Sequence, residues 1–93
     1  MRITSVTIYK PKADTKDPRL KGFALMLIDD CFAVHDIRIL EGERGLYAAM
    51  PSRKKATGGY SDVAHPINQE TRDMIEKEII NKYKEEAAKW EEE

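Results

Sequence analysis

The run with the clearest chemical potential is Arg53-Lys54-Lys55, set in S-R-K-K-A-T-G-G-Y over residues 52–60. Three cations on a glycine-containing loop can neutralise phosphates and release their counterions. Arginine can also pair with guanine in the major groove through two N–H bonds. Tyr60, close by in sequence, could stack on a base. On pattern alone the same run also reads as a loop kept polar for solubility, because three basic residues are a weak motif.

A second constellation is His35-Asp36 with Cys31, Asp62 and His65. Two imidazoles, carboxylates and a thiol are the groups of zinc sites and of acid–base catalysis. None of the metal-ligand spacings is present, neither H-E-x-x-H nor paired C-x-x-C. Adjacent residues in a strand point to opposite faces, so His35 and Asp36 converge only if the strand is irregular there. We assign no catalytic residue, no metal ligand and no cofactor, and expect no enzymatic activity. The third pattern, Gly42-x-x-Gly45, carries Glu41 and Glu43 and lacks the G-x-x-x-x-G-K-[ST] phosphate cradle, so it reads as a hairpin turn.

The elements that must position these residues are few. At 93 residues the chain makes one domain with a modest core, and dimerisation is a common way for such chains to gain stability. Hydrophobic residues make up 41% and charged residues 35%, with a formal net charge of −1. That balance excludes binding of nucleic acid by bulk positive charge, but the charge is unevenly spread. Residues 1–69 hold eleven Lys/Arg against eight Asp/Glu, and residues 70–93 hold five against nine. Such asymmetry can accompany a nucleic-acid face and an acidic tail. From charge alone, a solvated acidic helix on an ordinary domain is the simpler reading. One cysteine, Cys31, excludes an intrachain disulfide, and neither a signal peptide nor a spanning apolar run is legible, so a cytoplasmic location is expected.

Residues 3–9 are β-branched or aromatic except Ser5 and read as a strand, with Val6 and Ile8 on one face and Ile3 on the other. Residues 10–19 hold Pro11, Asp14, Asp17 and Pro18 and read as a loop. Residues 20–28 form a second strand that is apolar on both faces from Phe23 onward, which marks a central position. Asp29-Asp30 is a tight turn lacking the usual glycine. In residues 31–40, Phe32 and Val34 have one parity while Ile37 and Ile39 have the other. A one-residue bulge at His35-Asp36 would bring both pairs to the core face. Residues 46–50 make a fourth strand ended by Pro51. Residues 52–60 read as an irregular exposed loop, and 61–65 as a short return strand. Asn68 is a candidate N-cap for an amphipathic helix over 69–90, with Ile75, Ile79, Tyr83 and Ala87 in one stripe. Its last turns, from Glu85, are acidic enough to pack poorly, and Glu91-Glu92-Glu93 should fray. The fold class expected is α+β: a small antiparallel sheet of four to five strands with one long C-terminal helix.

The blocks V-H-D-I-R-I-L-E-G-E-R-G-L-Y-A-A-M-P-S-R-K and D-V-A-H-P-I-N, with T-R-D-M-I at the helix start, resemble the SpoVG family. The resemblance covers residues 1–84 and leaves 85–93 as an acidic helical extension. It implies a homodimeric cytoplasmic regulator that binds DNA, and in some members RNA, without known enzymatic activity. Such proteins affect septation, sporulation or global gene expression. The family's DNA contacts, attributed to basic residues after M-P-S, fall here on Arg53 and Lys54, with Lys55 as an addition. The implied partners are nucleic acid and a second copy, with no membrane and no small-molecule substrate. The alternative is a protein-interaction module in cell division, without direct nucleic-acid binding, whose working surface is the helix or a sheet edge.

Overall fold

The computed structural model describes residues 1–12 and 16–90; the centre of the 10–19 loop, Asp14 included, and the end expected to fray, 91–93, lie outside the described residues. Four strands form an antiparallel meander in sequence order: β1 (Ile3–Tyr9), β2 (Leu20–Ile28), β3 (Phe32–Gly42) and β4 (Gly45–Ala49). Two further strands, β5 (Ser52–Lys54) and β6 (Tyr60–Asp62), make a separate ribbon, and α1 (Gln69–Trp90) closes the fold. The α+β architecture expected from the sequence is the one observed, with β2 inside the sheet as its apolar faces require.

The helix covers one face of the sheet. Ile75 and Ile79 of α1 meet Ala24 and Met26 of β2, Ile37 and Ile39 of β3, and Met50, all buried. Ile37, Ile39 and Ile79 are 0% exposed, so each contributes about 1.5–3 kcal/mol of burial. The 22-residue helix starts where Asn68 predicts. The Asn68 side-chain oxygen accepts the N–H of Thr71 at 2.7 Å, satisfying one of the otherwise orphaned donors of the first turn. Glu76 then reaches β4, an edge strand, and accepts the N–H of Ala48 at 3.3 Å. That contact helps shield an edge that would otherwise be open to pairing.

Irregularities in the ladder set which side chains reach the core. Ala24 pairs with Ile37, but Met26 pairs with Val34, so β3 carries one extra residue at His35-Asp36. Asp36 takes the left-handed backbone there, with φ 61°. The expected bulge is therefore present, and Val34 and Ile37 both pack on the core side. β1 has a bulge of its own, with Ile3 opposite Ile28 and Ser5 opposite Leu27. This extra residue, Thr4, turns Ile3 onto the core, the reverse of the face expected from simple alternation. Asp29 and Asp30 form the β2–β3 turn with φ 51° and 55°. Thr4 Oγ1 accepts the N–H of Asp30 at 3.0 Å, and the Asp29 carboxylate accepts the N–H of Arg2 at 3.1 Å. These bonds, with the tolerance of aspartate for the left-handed region, stand in for the missing glycine.

The acidic end of α1 packs better than its composition indicates. Trp90 lies edge-on to Tyr83 with ring centroids 5.9 Å apart, and Lys10 Nζ sits 5.6 Å from the Trp90 ring. Gly22 lies beside this contact: a Cβ there would crowd the Tyr9 carbonyl at 3.0 Å and touch the Trp90 ring at 3.7 Å. Among the described residues no helix is long and apolar enough to cross a membrane.

Candidate nucleic-acid interface

Residues 52–60, expected as an irregular loop, instead begin a β-ribbon. Arg53 pairs with Ser61 and Lys54 with Tyr60. Neither strand has an apolar alternation that would announce it. What closes the ribbon is backbone chemistry: Lys55 N–H donates to the Gly59 carbonyl at 3.0 Å, and Gly58 N–H to the Lys55 carbonyl at 3.1 Å. Gly58 and Gly59 have φ 100° and 76°, a conformation that costs glycine little. At the base, Val63 N–H donates to the Pro51 carbonyl at 2.7 Å, so the ribbon is pinned where it leaves the sheet.

This placement gives the three cations distinct directions. Successive side chains in a strand alternate, so Arg53 lies on one face of the ribbon. Ser52, Lys54 and Tyr60 lie on the other. Lys55 stands at the turn. Arg53, Lys54 and Lys55 are all exposed, and among the described residues none makes an ion pair with a carboxylate. They are therefore brought together as a cluster of charge, but not onto a single face.

The Ser52 face of the ribbon looks toward the sheet. Arg38 Nη2 on β3 donates to Ser52 Oγ at 3.4 Å, a long bond that ties ribbon to sheet. Phe23 of β2 is the cross-strand partner of Arg38. Both have the parity opposite to the buried Ala24 and Ile37, so they lie on the sheet face away from the helix. Phe23, Asp36, Arg38, Pro51, Ser52 and Tyr60 line a cleft of about 420 Å³ between ribbon and sheet. The acidic helix is on the far side of the sheet from this cleft. Sequence reasoning found Tyr60 as a stacking ring and weighed Asp36 for a metal or acid–base centre and for the bulge, not for this cleft. It missed Phe23 and Arg38 as cleft residues, because nothing local marks that they stand beside the ribbon.

The histidine constellation does not assemble. His65 Nδ1 lies 3.0 Å from the Pro66 carbonyl, Cys31 is an exposed free thiol, and Asp36 stands at the β3 bulge. Among the described residues no group of three or more His, Cys, Asp or Glu side chains is placed to hold a metal ion. Gly42 and Gly45 face each other across a tight turn.

A protein-family model described as SpoVG matches residues 1–85. The chain belongs to the SpoVG family. A relative from Caldicellulosiruptor bescii, named as a SpoVG septation protein, is 52% identical over 83 residues, covering 89% of this chain and 91% of its own length. A relative of the same name from Phytoplasma australiense is 51% identical over 83 residues, covering 89% of this chain and 83% of its own. A third, from Acholeplasma laidlawii, is 48% identical over 85 residues, with coverage of 91% and 87%. The SpoVG match ends within the last turns of α1, five residues short of Trp90.

Proposed function

We propose that this SpoVG-family protein is a non-enzymatic cytoplasmic regulator in septation or sporulation that acts by binding DNA or RNA through the β5–β6 ribbon. The observation that carries the reading is the trio Arg53, Lys54 and Lys55. Three unpaired cations stand at the end of an ordered ribbon projecting from the sheet. Ion pairing with nearby carboxylates would have neutralised them, and that pairing is missing among the described residues. The family's septation names support the biological setting. A two-stranded ribbon also fits the major groove, where its outward face and its tip can meet the backbone or base edges.

The protein acts as a homodimer on this reading. Leu25 and Leu27 of β2 are only half-buried on the sheet face opposite the helix, and a chain of this size gains by covering such a surface. Two ribbons on one dimer would then contact paired sites. The alternative, a protein-interaction module, is favoured by the exposed side chains of Phe32, Val63 and Ile67, at 62%, 66% and 91%. Gel shifts discriminate the two. Combining Arg53→Ala with Lys54→Ala abolishes retention of nucleic acid at moderate salt with the thermal midpoint unchanged. Retention undiminished in that variant would move the function to the apolar surface.

A further inference from the structure

We propose that the cleft between the β5–β6 ribbon and the sheet is a pocket for one unpaired guanine base of a single-stranded nucleic acid. The proposal rests on the reading of the ribbon as a nucleic-acid contact and adds what that contact reads. The cleft has the components a base requires, on three separate elements. Tyr60 on β6 is 71% exposed, an aromatic ring held in solvent with no packing role of its own. Phe23 on β2 supplies a second aromatic lining the same space. Stacking on such rings is the usual way to hold an unpaired base. Lys54 is the cross-strand neighbour of Tyr60, so a cation stands beside the stacking ring where the attached phosphate would lie.

The polar groups favour guanine. Asp36 is turned out of the ladder by the bulge, and its carboxylate makes no side-chain hydrogen bond or ion pair among the described residues. A carboxylate offers two acceptor oxygens. Guanine alone among the common bases carries two neighbouring donors on its Watson–Crick edge, the ring N–H and the amino group. Arg38 lines the same cleft and has N–H groups beyond the one given to Ser52, which suits the adjacent guanine carbonyl oxygen. In a duplex this edge is already paired, so the pocket selects single strands, loops or ends. The volume, about 420 Å³, falls within the ~300–1,000 Å³ range of small-ligand sites.

The test is fluorescence anisotropy on the full chain with labelled oligothymidylate, the same strand carrying one central guanine, and a matched duplex, in deoxy and ribo series. Strands of about twelve nucleotides match the site sizes of single-strand binders. The guanine strand is expected to bind about tenfold tighter than the thymidylate strand, as one well-made base contact confers. A preference in either series supports the pocket, and the series that shows it identifies the natural source. Asp36→Asn keeps a residue tolerant of the left-handed backbone but has one acceptor in place of two. It should erase the preference, so that the guanine and thymidylate strands bind alike. Tyr60→Ala should weaken every single strand about tenfold, and Tyr60→Phe should not. The Arg53→Ala/Lys54→Ala pair should weaken both strands alike and keep the preference. Absence of a guanine preference, its survival in Asp36→Asn, or tighter binding to the duplex would overturn the pocket. If the Arg53/Lys54 variant still weakens binding in that case, the ribbon reading stands. Binding indifferent to that variant would overturn the ribbon reading too.

Discussion

Asp36 gives the sharpest test of how the sheet presents its residues. It has φ 61°, where a side chain with a Cβ, other than the tolerant Asn and Asp, costs about 1–2 kcal/mol. Glycine avoids that cost but is less stable than alanine by about 0.5–1 kcal/mol in an ordinary strand, through the entropy of the unfolded chain. The two effects oppose, and at residue 36 the steric one wins. Asp36→Gly is expected to be more stable than Asp36→Ala by about 1 kcal/mol. For a domain of this size that separates the melting midpoints by roughly 4–8 °C. Exposed Ala33, two residues before the bulge in the same strand, is the control. There Ala33→Gly should lower the midpoint, as in any regular strand. Thermal melts followed by circular dichroism read both comparisons. An Asp36→Ala variant as stable as Asp36→Gly, or more so, would refute the left-handed bulge. It would also remove the reason Val34 and Ile37 reach the same core.

Other outcomes follow from the same packing and turns. Ile79→Ala removes a side chain that is 0% exposed at the centre of the helix–sheet contact, and denaturant unfolding should show a loss of about 2–5 kcal/mol. Gly22→Val places a side chain against the Tyr9 carbonyl and the Trp90 ring, so it should lower the midpoint and red-shift Trp90 emission as the end of α1 lifts; unchanged emission would contradict the packing. Asp17 accepts the N–H of Arg19 at 2.9 Å and also bonds its guanidinium, which holds its carboxyl below the ordinary value of 3.8. A lowered folded-state pKa means the contribution is fully present above the ordinary value and is lost as pH falls through the folded one. NMR titration of the Asp17 carboxyl should therefore give a midpoint below 3.8, and a midpoint above it would refute the turn.

Much of the scaffold is legible because single residues announce it. The β-branched run 3–9, the doubly apolar run 20–28 and the Asn68 cap each mark an element where the structure has it. The parity break between Val34 and Ile37 reveals the β3 bulge, since no regular strand could bury both. The β1 bulge is silent by comparison, because Ile3 looks equally at home on either face. The ribbon is hidden for another reason. Its three-residue strands bury no apolar side chain, so hydrophobic pattern carries no signal, and the backbone bonds that close it leave no trace in composition. The cations themselves are legible, but their opposed directions come only from the pairing of Lys54 with Tyr60. The cleft is the least legible feature, because Phe23, Arg38 and Tyr60 meet only after two hairpins have folded.

On the proposed function, the ribbon's cations hold nucleic acid by neutralising phosphates. The most direct measurement is the dependence of binding affinity on salt for the wild type and for Arg53→Ala/Lys54→Ala. Each phosphate contact contributes about 0.7 to the slope of log K against log salt on single strands and about 0.9 on duplex. The double substitution should make the slope shallower by about 1.5 per chain. An identical slope in the two proteins, or a wild-type affinity indifferent to salt, would contradict it.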